Sequence, residues 1–181
     1  MPVFPDDPLW RCATAAAEGD NVALGELVRH TEKAVWQVCA ALGSGGEIED
    51  LVQETYLRVL RSLPRFRGDA PVRLWMLSIA RRTCADHVRR RQRHRRLLER
   101  LTIEAACRGD SVDAGHESTT VDLLQRLDAD RREAFALTQF AGLSYEQAAT
   151  IVGCPIGTIR SRVARARDDL RAMTGLAAAA S

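Results

Sequence analysis

The sequence predicts an all-α fold of two small helical domains joined by a flexible linker, and three observations lead there. Apolar residues recur at helical spacing along most of the 181 residues. Aromatics are only 5% of the chain while Ala and Leu are plentiful, and the short β-branched runs never alternate as strand residues would. Around residues 103–120 the periodicity dissolves into Gly, Ser, Asp and Thr. With 46% apolar residues the chain has enough material for buried cores on either side of that stretch.

Residues 1–8, with Pro2, Pro5 and Pro8, read as a disordered leader. Helical patterns follow over 9–18 and, after an Asp20 cap, over 22–42. Gly43 to Gly46 is a break. The helix expected over 48–63 turns Leu51, Tyr56, Val59, Leu60 and Leu63 inward and leaves Asp50, Gln53, Glu54, Leu57, Arg58 and Arg61 outward. Pro64 ends it, and a loop over 65–71 precedes a long helix from about Val72. Leu74, Trp75, Leu77, Ile79 and Ala80 read as core, although Trp75 also suits a stacking role. The same helix then becomes basic from Arg81 to Arg100, which completes a first domain over 9–102.

A second domain is expected over 121–173, with short helices over 121–127 and 130–140 and an Ala-rich disordered tail over 174–181. Its main feature is a helix-turn-helix. Ser144 and Gln147 form a capping box, Ala148, Ala149 and Val152 pack inward, and Gly153 takes the positive φ of a sharp turn. Pro155 suits the opening of the second helix. Ile156, Ile159, Val163, Ala166 and Leu170 bury one side of that helix. Thr158, Arg160, Ser161, Arg162, Ala164 and Arg165 remain for a DNA groove.

Net charge is only +2 but unevenly spread: residues 1–55 hold ten acids against three bases, and 81–100 hold nine arginines against two acids. This division fits a polyanion on one surface and another partner elsewhere. Of 26 basic residues 25 are Arg, which suits phosphate and guanine recognition and equally a G+C-rich genome. Cys12, Cys39, Cys84, Cys107 and Cys154 are scattered without metal-ligand spacing; Cys39, Cys84 and Cys154 read as buried thiols. No metal or cofactor is expected. No phosphate-binding glycine loop or nucleophile–base pair suggests an enzyme. No apolar run approaches the length of a membrane span and no export leader is apparent, so a cytoplasmic protein is expected.

The run Asp50-Leu-Val-Gln-Glu-Thr-Tyr-Leu-Arg-Val-Leu60, the 66–91 segment with Trp75 and Ile79-Ala-Arg81, and the Gly142-Leu-Ser-Tyr and Gly157-Thr-Ile-Arg-Ser-Arg162 motifs resemble the extracytoplasmic-function sigma factors of bacteria. The resemblance spans about residues 9–171. It implies a non-enzymatic initiation factor in which sigma domain two and sigma domain four bind core RNA polymerase, through its β′ clamp and β subunits, and read promoter DNA.

By that resemblance Asp50, Gln53, Glu54, Leu57, Arg58 and Arg61 dock on polymerase. Phe66, Arg67, Gly68 and Asp69, with Arg81, Arg82, Asp86, Arg89 and Arg90, hold the minus-ten strand; Arg82 stands where asparagine is commoner in the family. Thr158, Arg160, Ser161, Ala164 and Arg165 read the minus-thirty-five element, while Arg162 and Arg167 anchor phosphates or pack outward. The acids of the linker, Glu104, Asp110, Asp113 and Glu117, suit a path through the polymerase cleft, and a plain tether fits the same composition. An anti-sigma protein is the expected inhibitor; no small-molecule substrate or membrane insertion is expected. The alternative function is a freestanding helix-turn-helix regulator, which leaves the 50–61 helix unexplained.

Overall fold

The computed structural model describes residue 4 and residues 7–43, 48–102 and 120–175. Among these, α-helices α1 (Trp10–Ala17), α2 (Asn21–Leu42), α3 (Ile48–Ser62) and α4 (Val72–Thr102) form the first half, with a 3-10 turn, Leu63–Arg65, after α3. Helices α5 (Thr120–Gln125), α6 (Ala129–Phe135), α7 (Tyr145–Val152) and α8 (Ile156–Thr174) form the second, with a π-helical turn, Ala136–Phe140, continuing α6. The linker expected over 103–120 lies outside the described residues except for Thr120, which begins α5. Most of the leader and the last six residues of the tail also lie outside them.

Local chemistry accounts for the helix starts. Asp20 accepts the amides of Val22 and Ala23 at 2.8 and 3.1 Å and so caps α2. Asp7 accepts the Val72 amide and caps α4 from the far end of the chain, so residue 7, expected in a loose leader, is held in place. Pro64 stands in the 3-10 turn that closes α3. Four buried threonines, Thr31, Thr55, Thr83 and Thr138, return their hydroxyls to the carbonyls of Leu27, Leu51, Ile79 and Ala134. This back-bonding lets polar side chains sit in an apolar interior.

One core belongs to the first half alone, where Ala13, Leu27, Val59, Leu63, Val72, Met76 and Ile79 meet. The largest cluster instead joins the halves. Val35, Val38 and Cys39 of α2 and Leu74, Leu77 and Cys84 of α4 are continuous with Ala134, Leu137, Leu143, Ala148, Ile159 and Val163. The sequence suggests two separate domains; the structure packs them together along α2 and the start of α4.

Polar contacts finish this seam. Arg81 makes a paired contact with Glu133 on α6, Nε–Oε1 2.7 Å and Nη2–Oε2 3.3 Å. Arg73 donates to the Ala141 carbonyl at 2.8 Å. The Gln125 amide donates to the carbonyls of Gly43, Ala41 and Ala40 at 2.6, 3.3 and 3.4 Å, satisfying the open end of α2 from the other half. A Cβ on Gly43 would meet Leu51 Cδ1 at 2.5 Å and the Cys39 carbonyl oxygen at 2.6 Å, so the break after α2 needs glycine for space.

Two expected core positions differ. Leu60 is 38% exposed, because the inward line of α3 runs through Leu51, Thr55 and Val59 at four-residue steps. Trp75 is half-buried and stacked, while its neighbour Met76 takes the buried place. Cys154 is also only half-buried, at the turn of the helix-turn-helix, whereas Cys39 and Cys84 are enclosed. The hydrogen bond to Cys39, and then burial, push the Cys84 thiol far above its ordinary pKa, so it stays protonated.

Leu137→Ala is expected to destabilise the fold by about 2–5 kcal/mol. All three tryptophans, Trp10, Trp36 and Trp75, lie in the first half. A urea titration followed by tryptophan fluorescence should therefore move to lower denaturant although the substitution is in the second half. An unmoved transition would mean that the halves unfold independently.

Candidate polymerase and promoter interfaces

Helix α3 is amphipathic, and its outer side carries the residues expected to dock on polymerase. Asp50, Gln53, Leu57 and Arg61 are exposed, while Glu54 and Arg58 are half-buried. Leu57 is 39% exposed and Leu60, one turn on, nearly the same, so an apolar pair stands among charges. Arg58 donates to Glu54 at 2.7 Å and reaches across to Asp86 of α4 at 2.8 Å. Between the two helices an open groove of ≈ 540 Å³ is lined by Asp50, Glu54, Leu57, Arg58, Asp86 and Arg90, among others. The structure thus joins the face expected to dock to residues expected on the minus-ten surface, a continuity that the sequence does not reveal.

Asp86 sits between Arg58 and Arg89, with the latter donating at 2.9 Å. Arg58, and then Arg89, holds its carboxyl below the usual carboxylate range. An acid on a basic helix is thereby neutralised by its own neighbours. Arg82 and Arg89 share its face of α4 at spacings of four and three residues, and both are exposed. Arg90 is exposed one position further round. Arg81 is set apart: it lies on the side facing α6, held by Glu133.

The loop before α4 is built on an aromatic stack. Phe66 lies on Trp75 with ring centroids 4.4 Å apart at 27°, and Trp10 leans on it at 5.8 Å and 52°. Phe66 is therefore half-buried, while Arg67 and Asp69 stand out in solvent and Gly68 is covered. The stack fixes the loop to α1 and α4, and Arg67 and Asp69 are the side chains it presents.

In the second half the helix-turn-helix forms as the sequence indicates. Ser144 Oγ accepts the Gln147 amide at 3.1 Å and the Ser144 amide donates to Gln147 Oε1 at 2.9 Å. Gly153 has φ 78°, which directs α8 away from α7. Pro155 stands at the cap of α8 rather than inside its first turn. Ile159, Val163 and Ala166 are buried, and Arg160, Ser161, Ala164 and Arg165 are exposed together on the opposite side; Thr158 is half-buried.

The other cations of α8 are occupied within the fold. Arg162 pairs with Asp130, Arg167 donates to Gln139 at 2.8 Å, and Arg131 of α6 holds Asp169 at 2.6 Å. These contacts brace α8 against α6 and the π-turn. They separate the structural arginines from Arg160 and Arg165, a division the sequence leaves open.

The arrangement defines a class: a two-part helical protein with a mixed apolar and charged face and a basic surface in one half and a helix-turn-helix in the other. The sequence matches Sigma-70 region 2 over residues 27–94 and Sigma-70, region 4 over residues 120–170. It is 41% identical over 169 residues to the ECF RNA polymerase sigma factor SigC of Mycobacterium tuberculosis, covering 92% of this chain and 91% of that one. The RNA polymerase sigma-H factor of Pseudomonas aeruginosa is 32% identical over 168 residues, covering 83% and 85%.

Among solved structures, CnrH in complex with the cytosolic domain of CnrY superposes with TM-score 0.67 at 28% identity over 91% of this chain and 96% of that one. The sigma factor RpoE in complex with the anti-sigma factor NepR from Bartonella quintana gives 0.68 at 28% identity over 84% and 96%. The chain belongs to the extracytoplasmic-function family of RNA polymerase sigma factors, the transcription-initiation factors that bind core polymerase and promoter DNA. Its mycobacterial relatives agree with a G+C-rich source for the arginine bias.

Because Arg58 is the leading cause of the low Asp86 pKa, Arg58→Gln should raise the Asp86 titration midpoint toward the ordinary carboxylate value of about 3.9. A depressed carboxyl stabilises the fold above that value and loses the contribution as pH falls through its folded pKa. Carboxyl carbon NMR of wild type and variant checks the shift, and an unmoved midpoint would show that Arg58 does not hold Asp86.

Proposed function

We propose that residues 9–102 act as sigma domain two and residues 121–173 as sigma domain four. In this reading Asp50, Gln53, Glu54, Leu57, Arg58 and Arg61 dock on the β′ clamp. Leu57 serves as the apolar anchor of a mixed charged patch, a composition typical of binding faces. Arg67 and Asp69 of the loop, with Arg82, Arg89 and Arg90 of α4, receive the opened minus-ten strand. Arg160, Ser161, Ala164 and Arg165 read the minus-thirty-five duplex. The observation that carries the assignment is their common exposure on one side of α8 while Arg162 and Arg167 are tied to Asp130 and Gln139.

The protein supplies address and strand opening and leaves the chemistry to polymerase. It works in the cytoplasm, where polymerase and promoters are. Among the described residues no helix is long and apolar enough to cross a membrane. An anti-sigma protein holds it inactive, a reading supported by the two structural relatives, which were solved with CnrY and with the anti-sigma factor NepR.

Reading both elements requires the halves to part. The element names place the sites about 25 base pairs apart, ~85 Å of duplex at about 3.4 Å per pair. In the closed chain, α2 touches the π-turn and Arg81 is held by Glu133. Parting the seam releases Arg81 to the minus-ten surface.

Leu57→Asp should abolish association with core polymerase and leave the helical circular dichroism intact; an unfolded variant would show that Leu57 is structural. In run-off transcription with core enzyme, Arg160→Ala and Arg165→Ala should each cost about 1–3 kcal/mol at one minus-thirty-five position. Equal loss on every sequence would mark them as phosphate contacts. A wild-type protein that supports no transcript across a genomic promoter library would refute the initiation role.

A further inference from the structure

The loop over 66–71 presents Arg67 and Asp69 and runs straight into α4. The residue before Val72 is Pro71, whose ring offers no acceptor to the first free amides of that helix. Pro71 gives only its carbonyl, which takes the Trp75 amide at 3.0 Å. A side-chain acceptor comes instead from Asp7, 65 positions away, whose Oδ2 accepts the Val72 amide at 2.5 Å. Its other oxygen, Oδ1, accepts the Leu9 amide at 3.0 Å, just ahead of α1. One carboxylate therefore ties the starts of two helices together.

Helix α1 meets the loop a second time through its first residue. Trp10 leans on Phe66 with ring centroids 5.8 Å apart, and Phe66 stacks on Trp75 of α4 at 4.4 Å. Leu63 and Val72, on either side of the loop, are buried in one core with Ala13 of α1. The loop is thus gripped at its first residue by Trp10 and at its α4 end by Asp7. Between these fixings Gly68, at φ 74°, turns the backbone through the left-handed region.

Asp7 and Trp10 are themselves half-buried, and both carboxylate oxygens of Asp7 are occupied. An acid so placed does not attract phosphate, so its effect on DNA has to pass through what it holds. Recognition requires side chains kept within about 0.5 Å of their working positions, and a loop fixed in advance avoids the ordering cost at binding. We propose that Asp7 and Trp10 are positioning residues for minus-ten recognition, holding the 66–71 loop so that Arg67 and Asp69 meet the opened strand. The inference rests on the assignment of Arg67 and Asp69 to that strand and names what keeps them in place.

The test uses the full chain assembled with core polymerase. Association with core is measured first, then affinity for a duplex fragment carrying only the minus-thirty-five element. The third measurement is affinity for a single-stranded oligonucleotide carrying the minus-ten segment of a promoter that the wild type transcribes. Asp7→Ala should weaken the third by about 5-fold, the factor that a lost helix cap represents. Trp10→Leu, which keeps apolar bulk and removes the ring contact, should act in the same direction. Neither should change the first two. Asp7→Asn keeps the shape and one acceptor, so its loss should be smaller, and it decides the matter if the alanine variant fails to fold. Because the effect passes through the loop, Asp7→Ala should cost nothing further in an Arg67→Ala/Asp69→Ala background.

An unchanged single-strand affinity in the Asp7 variants would overturn the proposal. So would a parallel fall in all three measurements, which would mark damage to the whole fold. A further loss in the Arg67→Ala/Asp69→Ala background would show that Asp7 acts elsewhere than through the loop, and overturns it too. The underlying assignment is read separately. If Arg67→Ala/Asp69→Ala leaves single-strand affinity intact, the loop is not part of the minus-ten site; if it weakens binding while Asp7→Ala does not, the positioning role alone fails.

Discussion

The seam between the two halves is the constraint on which the arrangement of every surface depends. Val35 and Val38 of α2 and Leu77 of α4 share one interior with Leu137, Ile159 and Val163. Burying these side chains orients α4 and α8 relative to each other, with the Arg160–Arg165 side of α8 turned outward. The small residues Ala134, Ala141, Ala148 and Ala149 let the helices approach closely there. The polar contacts of Arg81, Arg73 and Gln125 then satisfy groups that this approach would otherwise strand.

The arginines divide into two populations by their partners. Arg58, Arg81, Arg131 and Arg162 join helices through acids and act as structure. Arg82, Arg160 and Arg165 stand on exposed faces. The near-exclusive use of Arg over Lys serves both populations, since a planar guanidinium bridges a carboxylate in the fold as readily as a phosphate outside it. Arg81 belongs to both, being tied by Glu133 in the closed chain and, under the proposed function, free for the strand when the halves part.

What could be read from the sequence was whatever is encoded locally. The Ser144–Gln147 capping box, the Gly153 turn and the Asp20 cap are each set by residues a few positions apart, and the structure reproduces them. The exposed side of α8 and the place of Leu57 on α3 followed from helical periodicity in the same way. Leu60 was misplaced because the buried line of α3 is held by Thr55, a polar residue that periodicity of apolar side chains does not count. Nothing local announces the contacts that tie the halves: Arg81 and Glu133 are 52 positions apart, Gly43 and Gln125 82, and Asp7 and Val72 65. The split between structural and outward arginines in α8 was hidden for the same reason, because Asp130 and Gln139 lie on other elements.

Helix α4 is one uninterrupted rod of 31 residues, anchored at one end and exposed to solvent from Arg89 to Leu98. Such a rod is a lever. Its free part beyond residue 88 is about 20 Å long, so a tilt of about 10° at the anchored end carries the tip through about 3–4 Å. The tight packing around Met76, Ala80 and Cys84, together with the Asp7 cap at its root, therefore sets the aim of a group of charges that touches none of them. A small change in those buried contacts is magnified along the shaft into a displacement comparable to the length of a hydrogen bond at its far end.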